Sequence, residues 1–223
     1  MRLFVRLKVR FSLGYSLIIM AFLVVTLWVV NISMSSVNTV RHPVVLVGDV
    51  AYEVNASESK PLYSSQVKKI IERMEKARQD NQKLCVVIFV LHCQEYSVNN
   101  QLWSKTIKKL AADLKDHYGK ECIRDYVCSR ERDKSDAQHY HLALLLDGRL
   151  VNKKYTVEKK LSNLWLHYGG SKITHIKTYN IPSTNQHLFE LAIYHLSYFA
   201  KVRSKERRDK STRNFFVRHI KTV

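Results

Sequence analysis

The chain has 223 residues, 46% of them hydrophobic, and carries 37 Lys+Arg against 19 Asp+Glu for a formal net charge of +18. This length suits one domain with appendages better than two full domains, and the positive field attracts polyanions such as nucleic acid or anionic lipid headgroups. The four cysteines (Cys85, Cys93, Cys122 and Cys128) lack zinc-ribbon spacing, and a chain this long needs no disulfide staples, so reduced thiols in a reducing compartment are expected.

Residues 1–33 form a hydrophobic N-terminal segment. Its densest part, Leu13–Ile32, is about 20 residues long, enough to cross a bilayer as a helix. The segment therefore predicts one N-terminal hydrophobic helix that spans a membrane. The alternative is that Met34 is the true start and that the upstream residues are a misassigned extension.

Residues 34–61 mix a short apolar run with glycine, serine, asparagine and proline, which predicts a linker with at most one edge strand. Residues 62–218 then form the main domain. Its end overlaps a basic tail over residues 201–223.

Within the main domain, apolar periodicity and turn residues predict alternating helices and strands. The predicted helices are Ser64–Asn81, 100–118, 156–168 and Asn185–Val202. The predicted strands are Lys83–Glu95, Ile123–Arg130, Tyr140–Leu146 and Ile173–Tyr179. This order indicates an α+β fold with a central antiparallel sheet and flanking helices.

Two histidines stand at the start of the Tyr140–Leu146 strand. Residues two apart in a strand face the same side, so His139 and His141 could together hold one divalent ion. A histidine, a hydrophobic residue and a second histidine in this order define the HUH nucleases. With ten histidines in the chain, a chance pair is the competing interpretation.

The last predicted helix brings two tyrosines and a lysine onto one face. Tyr194, Tyr198 and Lys201 are spaced by four and three residues, which aligns them along a helix. A tyrosine becomes a nucleophile when a nearby cation stabilises its phenolate. The alternative is that both tyrosines are core or rim aromatics and that Lys201 belongs to a solvated face.

A metal held by two histidines usually needs a third ligand. His92, at the end of the first strand, is the preferred candidate, with Glu131, Glu95 and Asp136 as alternatives. A structural zinc site built from Cys122, Cys128 and the two histidines is a further possibility, although five residues between the cysteines is unusual spacing.

The order of these pieces resembles the replication proteins of filamentous phages (inovirus gene-two type) and their prophage relatives, the YagK/YfjJ C-terminal domain family. The resemblance covers about residues 62–218 and rests on residues 86–92, the His139–Leu146 segment, Trp165, and the segments 194–201 and 203–205. The chain departs from the family in the segment 213–219, where a glycine and a serine of the usual pattern are missing.

The resemblance implies an HUH-endonuclease-like fold and a DNA nicking and joining activity that starts rolling-circle replication in the bacterial cytoplasm, or at the inner membrane if residues 1–33 are expressed. Tyr198 falls at the family's attacking tyrosine, Lys201 at its lysine, and His139 and His141 at its paired histidines. Either Tyr198 or Tyr194 remains open as the nucleophile.

A metal ion, DNA and a membrane are the expected partners of the chain. Magnesium or manganese is the expected ion and single-stranded or origin DNA the expected substrate, with a membrane as a further partner of residues 13–32 and no small-molecule substrate. The residues expected to contact DNA are basic and lie in the tail: Lys201, Arg203, Lys205, Arg207, Arg208, Lys210 and Arg213. A non-catalytic DNA-binding regulator of the same family, with or without a membrane anchor, is the alternative.

Overall fold

A five-stranded antiparallel sheet lies at the centre of the domain that follows residue 38. The computed structural model describes residues 38–79, 82–132, 137–151, 153–203 and 212–218. The helices are α1 (Ser64–Gln79), α2 (Gln101–Tyr118), α3 (Tyr155–His167) and α4 (Gln186–Ser197). The strands are β1 (Thr39–Val40), β2 (Val44–Val47), β3 (Val50–Glu53), β4 (Leu62–Tyr63), β5 (Lys83–Cys93), β6 (Ile123–Glu131), β7 (His139–Asp147), β8 (Gly170–Pro182) and β9 (Phe215–Val217).

The order of strands in the sheet is β8-β5-β7-β6-β9, and every neighbouring pair is antiparallel. The strand with the two histidines, β7, is therefore the middle one. The predicted α+β class with a central antiparallel sheet and flanking helices is confirmed.

Both faces of the sheet are covered by helices, which explains the unbroken apolar runs of the inner strands. Leu84, Val86 and Ile88 of β5 point to one face and join a core with α1 and α4. Alternate residues such as Val87 and Phe89 point to the other face and join a core with α2 and α3.

The segment predicted to be a linker is folded where the structure describes it. β1 pairs with β4, and β2 with β3, in two small antiparallel sheets. Tyr52, Val54 and Ala56 are buried in the core that contains α1 and α4. Residues 39–61, predicted as a linker with one edge strand, thus contain that strand as β2 together with β1 and β3. Apolar side chains at alternate positions give these short strands a face to bury.

The last helix ends earlier than predicted. α4 stops at Ser197 and continues as one turn of 3-10 helix over Tyr198–Ala200. Lys201 then forms an isolated antiparallel bridge with Leu62. This bridge stops the chain from continuing as a helix and fixes the position of Lys201.

The predicted basic tail contains a strand of the sheet. β9 pairs with β6, with Phe216 opposite Cys128. Phe215 and Val217 are buried in the core, so this part of the predicted basic tail belongs to the folded domain.

The predicted N-terminal helix over residues 1–33 lies outside the described residues. Within the described ranges no helix combines the length and apolar character needed to cross a membrane.

Candidate metal and tyrosine site

Three adjacent strands bring their polar side chains together at one end of the sheet. His139 of β7 stands opposite His92 of β5 on one side and opposite Glu131 of β6 on the other. His141 stands opposite Ser129 in the same way. Alternation along each strand turns these side chains toward the face that α1 and α4 cover further along the sheet.

Glu131 and the two histidines of β7 form a compact group, here called the triad. The carboxylate oxygen Oε2 of Glu131 lies 3.1 Å from Nε2 of His141 and 3.6 Å from Nε2 of His139. One potential ligand atom from each residue falls within 4.8 Å of the others. Glu131 itself is 1% exposed. The triad could hold a metal ion.

The donor atoms of the triad fit a divalent cation. Glu131 Oε2 and His141 Nε2 are both buried, and neither makes a hydrogen bond of acceptable geometry despite their closeness. Two imidazoles and a carboxylate suit a divalent first-row ion. Ser129 Oγ donates to the other carboxylate oxygen of Glu131 over 3.4 Å, which orients the group from behind.

The electrostatics of the triad favour an ionised carboxylate. Burial raises the pKa of Glu131, but the adjoining imidazoles of His139 and His141 and the charge of Lys201 outweigh it and hold that pKa well below its usual range. Glu131 is therefore a negative charge held inside the protein, and it attracts any cation that reaches it.

Lys201 and Tyr198 adjoin the triad. The Lys201 ammonium lies 2.8 Å from Glu131 Oε2 and donates a hydrogen bond of 2.8 Å to the Tyr198 hydroxyl. The Tyr198 ring lies edge-on to His141 with 6.0 Å between ring centroids. Tyr198 is 37% exposed, so its hydroxyl is next to the triad and also open to solvent.

The candidates for the third metal ligand lie at different places in the structure. Glu131 is in the triad, whereas His92 stacks on His139 with 6.1 Å between ring centroids and is not in the group. Burial, followed by the nearby charges of His139 and Lys172, lowers the pKa of His92. Glu95 is exposed beyond the end of β5. Asp136 lies outside the described residues.

The two candidate tyrosines have different surroundings. Tyr194 lies on α4, one turn before Tyr198, and its ring contacts His195. Among the residues that the structure describes, Tyr194 makes no ring contact or hydrogen bond with the triad. The geometry therefore favours Tyr198 over Tyr194 as the partner of the triad.

The cysteine-containing zinc site is not formed. Cys122 and Cys128 belong to the core on the opposite face of the sheet, together with Leu142. A residue that points to that face cannot meet His139 and His141.

The basic residues expected to contact DNA are only partly described. Arg203 is exposed. Arg213 donates from Nε to the Phe215 carbonyl, and its guanidinium lies over the Phe216 ring. Four further residues lie outside the described residues: Lys205, Arg207, Arg208 and Lys210.

The sequence pattern favours His92 over Glu131 as the third ligand, and it does not indicate Ser129 or Phe199 as site residues. Phe199 packs against His141, with ring centroids 5.5 Å apart. Glu131 directly follows the predicted strand Ile123–Arg130 and lies two residues after Ser129, which is the available signal. Its use requires knowing that the strand continues to Glu131 and how it pairs with β7.

The comparisons with known proteins give no relative. No family model, curated protein or solved structure matches the chain. The resemblance to phage replication proteins therefore stays a prediction from the residues.

Proposed function

We propose that this protein is a metal-dependent DNA nicking and joining enzyme that acts through a tyrosine and starts rolling-circle replication of a phage or prophage. One observation carries the proposal: the Tyr198 hydroxyl is hydrogen-bonded to Lys201, which is itself 2.8 Å from the triad carboxylate. A nucleophile, a cation and a metal-binding group thus meet at one place, and the nucleophile there is partly exposed. The net charge of +18 supports a polyanionic substrate.

Glu131, His139 and His141 would hold Mg²⁺ or Mn²⁺, which when bound polarises a phosphate oxygen. Tyr198 Oη forms a bond to the scissile phosphorus as the bond from phosphorus to the 3′ oxygen breaks. The phenol loses its proton to water and the departing 3′ oxygen takes one from water, so the products are a 5′ phosphotyrosine and a free 3′ hydroxyl. Lys201 stabilises the phenolate and the phosphate oxygens.

The test is the capture of the covalent intermediate. The full-length chain is incubated with Mn²⁺ and labelled single-stranded oligonucleotides that tile the DNA flanking its gene. The products are separated on a denaturing gel. Tyr198→Phe and His141→Ala are run beside the wild type, and Tyr194→Phe is the matched control because it removes the same hydroxyl four residues away.

A labelled protein band that needs metal, His141 and Tyr198 supports the proposal. A band that survives in Tyr198→Phe and is lost in Tyr194→Phe would identify Tyr194 as the nucleophile and leave the proposed reaction unchanged. Absence of any band, together with tight binding that weakens as salt rises, favours the alternative of a non-catalytic basic DNA-binding regulator.

A further inference from the structure

The loop over residues 94–100, between β5 and α2, stands at the same end of the sheet as the triad. It leaves β5 at Cys93, whose backbone N–H donates to the carbonyl of Gln138 over 3.2 Å. Gln138 immediately precedes His139 in the chain. The loop is therefore joined to the strand that carries the two triad histidines.

Partly buried hydrogen bonds from Arg130 and Tyr140 hold this loop. Arg130 is 5% exposed, and its guanidinium donates to the carbonyls of Ser97 and Asn99. The same guanidinium and the Tyr140 hydroxyl both donate to Asn100 Oδ1, over 3.1 and 2.9 Å. Because these contacts form on folding, a ligand that binds the loop does not have to order it.

The loop presents an aromatic ring, Tyr96, that lies close to two guanidinium groups. Tyr96 is 36% exposed. The Arg132 guanidinium lies 4.1 Å from the Tyr96 ring centroid, and that of Arg130 lies 5.7 Å from it. Arg132 directly follows Glu131 of the triad in the chain. The partly exposed Tyr96 ring thus adjoins a positive charge on the residue that follows the triad carboxylate in the chain.

We infer that Tyr96 and Arg132 form a stacking platform for a base of single-stranded DNA close to the scissile phosphate. Proteins bind single strands by stacking bases on aromatic rings while cationic side chains follow the backbone. Arg130 and Glu131 point to opposite faces of the sheet, so a strand at the triad would reach Tyr96 by passing over the end of the sheet. The inference rests on the proposed function in taking single-stranded DNA as the ligand.

The test measures binding without the chemical step. Anisotropy of a labelled oligothymidine is recorded with the full-length chain in EDTA, and again with an abasic strand of the same length. Tyr96→Ala is the informative variant, and Tyr96→Trp keeps an aromatic face. Tyr155→Ala is the matched control, since Tyr155 is 69% exposed and lies on α3.

Tyr96→Ala is expected to weaken binding of oligothymidine about tenfold and to leave binding of the abasic strand unchanged, because only the former can stack. Tyr96→Trp and Tyr155→Ala should bind like the wild type. An equal loss on both strands, no loss on either, or failure of the wild type to bind overturns the inference. The covalent band and this base-dependent loss are separate readouts, so either can fail while the other is observed.

Discussion

Glu131 contacts two imidazoles and one ammonium through a single oxygen, Oε2. The Lys201 ammonium already neutralises part of the negative charge of the Glu131 carboxylate. A metal ion therefore has to share the carboxylate with Lys201 or displace the lysine. The lysine is also bonded to Tyr198, and the three side chains are therefore electrostatically coupled. A change at Glu131 is expected to alter metal binding and the environment of the tyrosine together.

Replacement of Glu131 tests which side chain is the third metal ligand. Glu131→Gln is expected to weaken Mn²⁺ binding at least about tenfold, because the neutral amide keeps the shape and removes the charge that attracts the ion. His92→Ala should change the affinity for Mn²⁺ by less than about threefold, since His92 stacks on His139 and is outside the triad. Free Mn²⁺ is measured by electron paramagnetic resonance with the full-length chain and no DNA.

The opposite ranking would restore His92 as the ligand. If His92→Ala abolished Mn²⁺ binding while Glu131→Gln retained it, the triad would be an ion-pair network and not the cation site. His139→Ala should weaken binding in either case, because both interpretations make it a ligand.

The positions of the inner strands could be predicted from the sequence, and their pairing could not. The apolar runs of β5 and β7 locate both strands to within two residues at either end. Nothing in the sequence states that β6 pairs with β7 so that Glu131 stands opposite His139. The choice between Glu131 and His92 depends on that register, because both residues adjoin His139 in the sheet.

Apart from β2, which covers the apolar run expected to give one edge strand, the elements that the sequence did not predict are short. β1 and β4 contain two residues each, β3 contains four and β9 contains three. Such segments show too few repeats for a period-two pattern to stand out. They form because their partners already exist: β9 lies along β6, and Tyr52 and Val54 enter the core beside α1 and α4. These elements therefore form because of tertiary contacts, which a local sequence pattern does not indicate.

The far end of β7 gives a prediction about acid stability. Asp147 is buried there, and hydrogen bonds from Arg149, opposed by burial and helped by Arg124, hold its pKa below its usual range. A carboxyl group whose pKa is lower in the folded than in the unfolded protein stabilises the fold at pH values above its ordinary pKa of about 4. That contribution is lost as the pH falls through the pKa of the folded state. Asp147→Asn is expected to lower the free energy of unfolding on the order of 2 kcal/mol at pH 7, and by about 1 kcal/mol less at pH 3.

Urea unfolding at the two pH values measures this difference. Asp113→Asn is the control, because Asp113 forms a partly exposed ion pair with Lys109 one helical turn away, and it should cost less than about 0.5 kcal/mol. A destabilisation of Asp147→Asn that is the same at pH 7 and pH 3 would show that the carboxylate contributes packing and not charge.

The net charge of +18 would draw DNA to many surfaces of the protein, whereas the proposed reaction needs DNA at one end of the sheet. The number of phosphates that the protein neutralises sets the slope of log affinity against log salt, at about 0.7 per phosphate for a single strand. Substitution of one charge at a time therefore locates the path of the strand. Arg203 is exposed two residues after Lys201, whereas Lys159 is exposed on α3, which covers the other face.

Arg203→Gln is expected to reduce the salt slope for a single-stranded oligonucleotide by about 0.7, because one released counterion is lost. Lys159→Gln removes the same charge and should leave the slope unchanged. Anisotropy titrations at several salt concentrations, in EDTA, measure both. Equal reductions in the two variants would mean that DNA is held by the overall field with no defined path, and the triad would then have no means of selecting one phosphate. A reduction in Arg203→Gln alone would place the strand beside Lys201 and Tyr198, where the proposed reaction requires it.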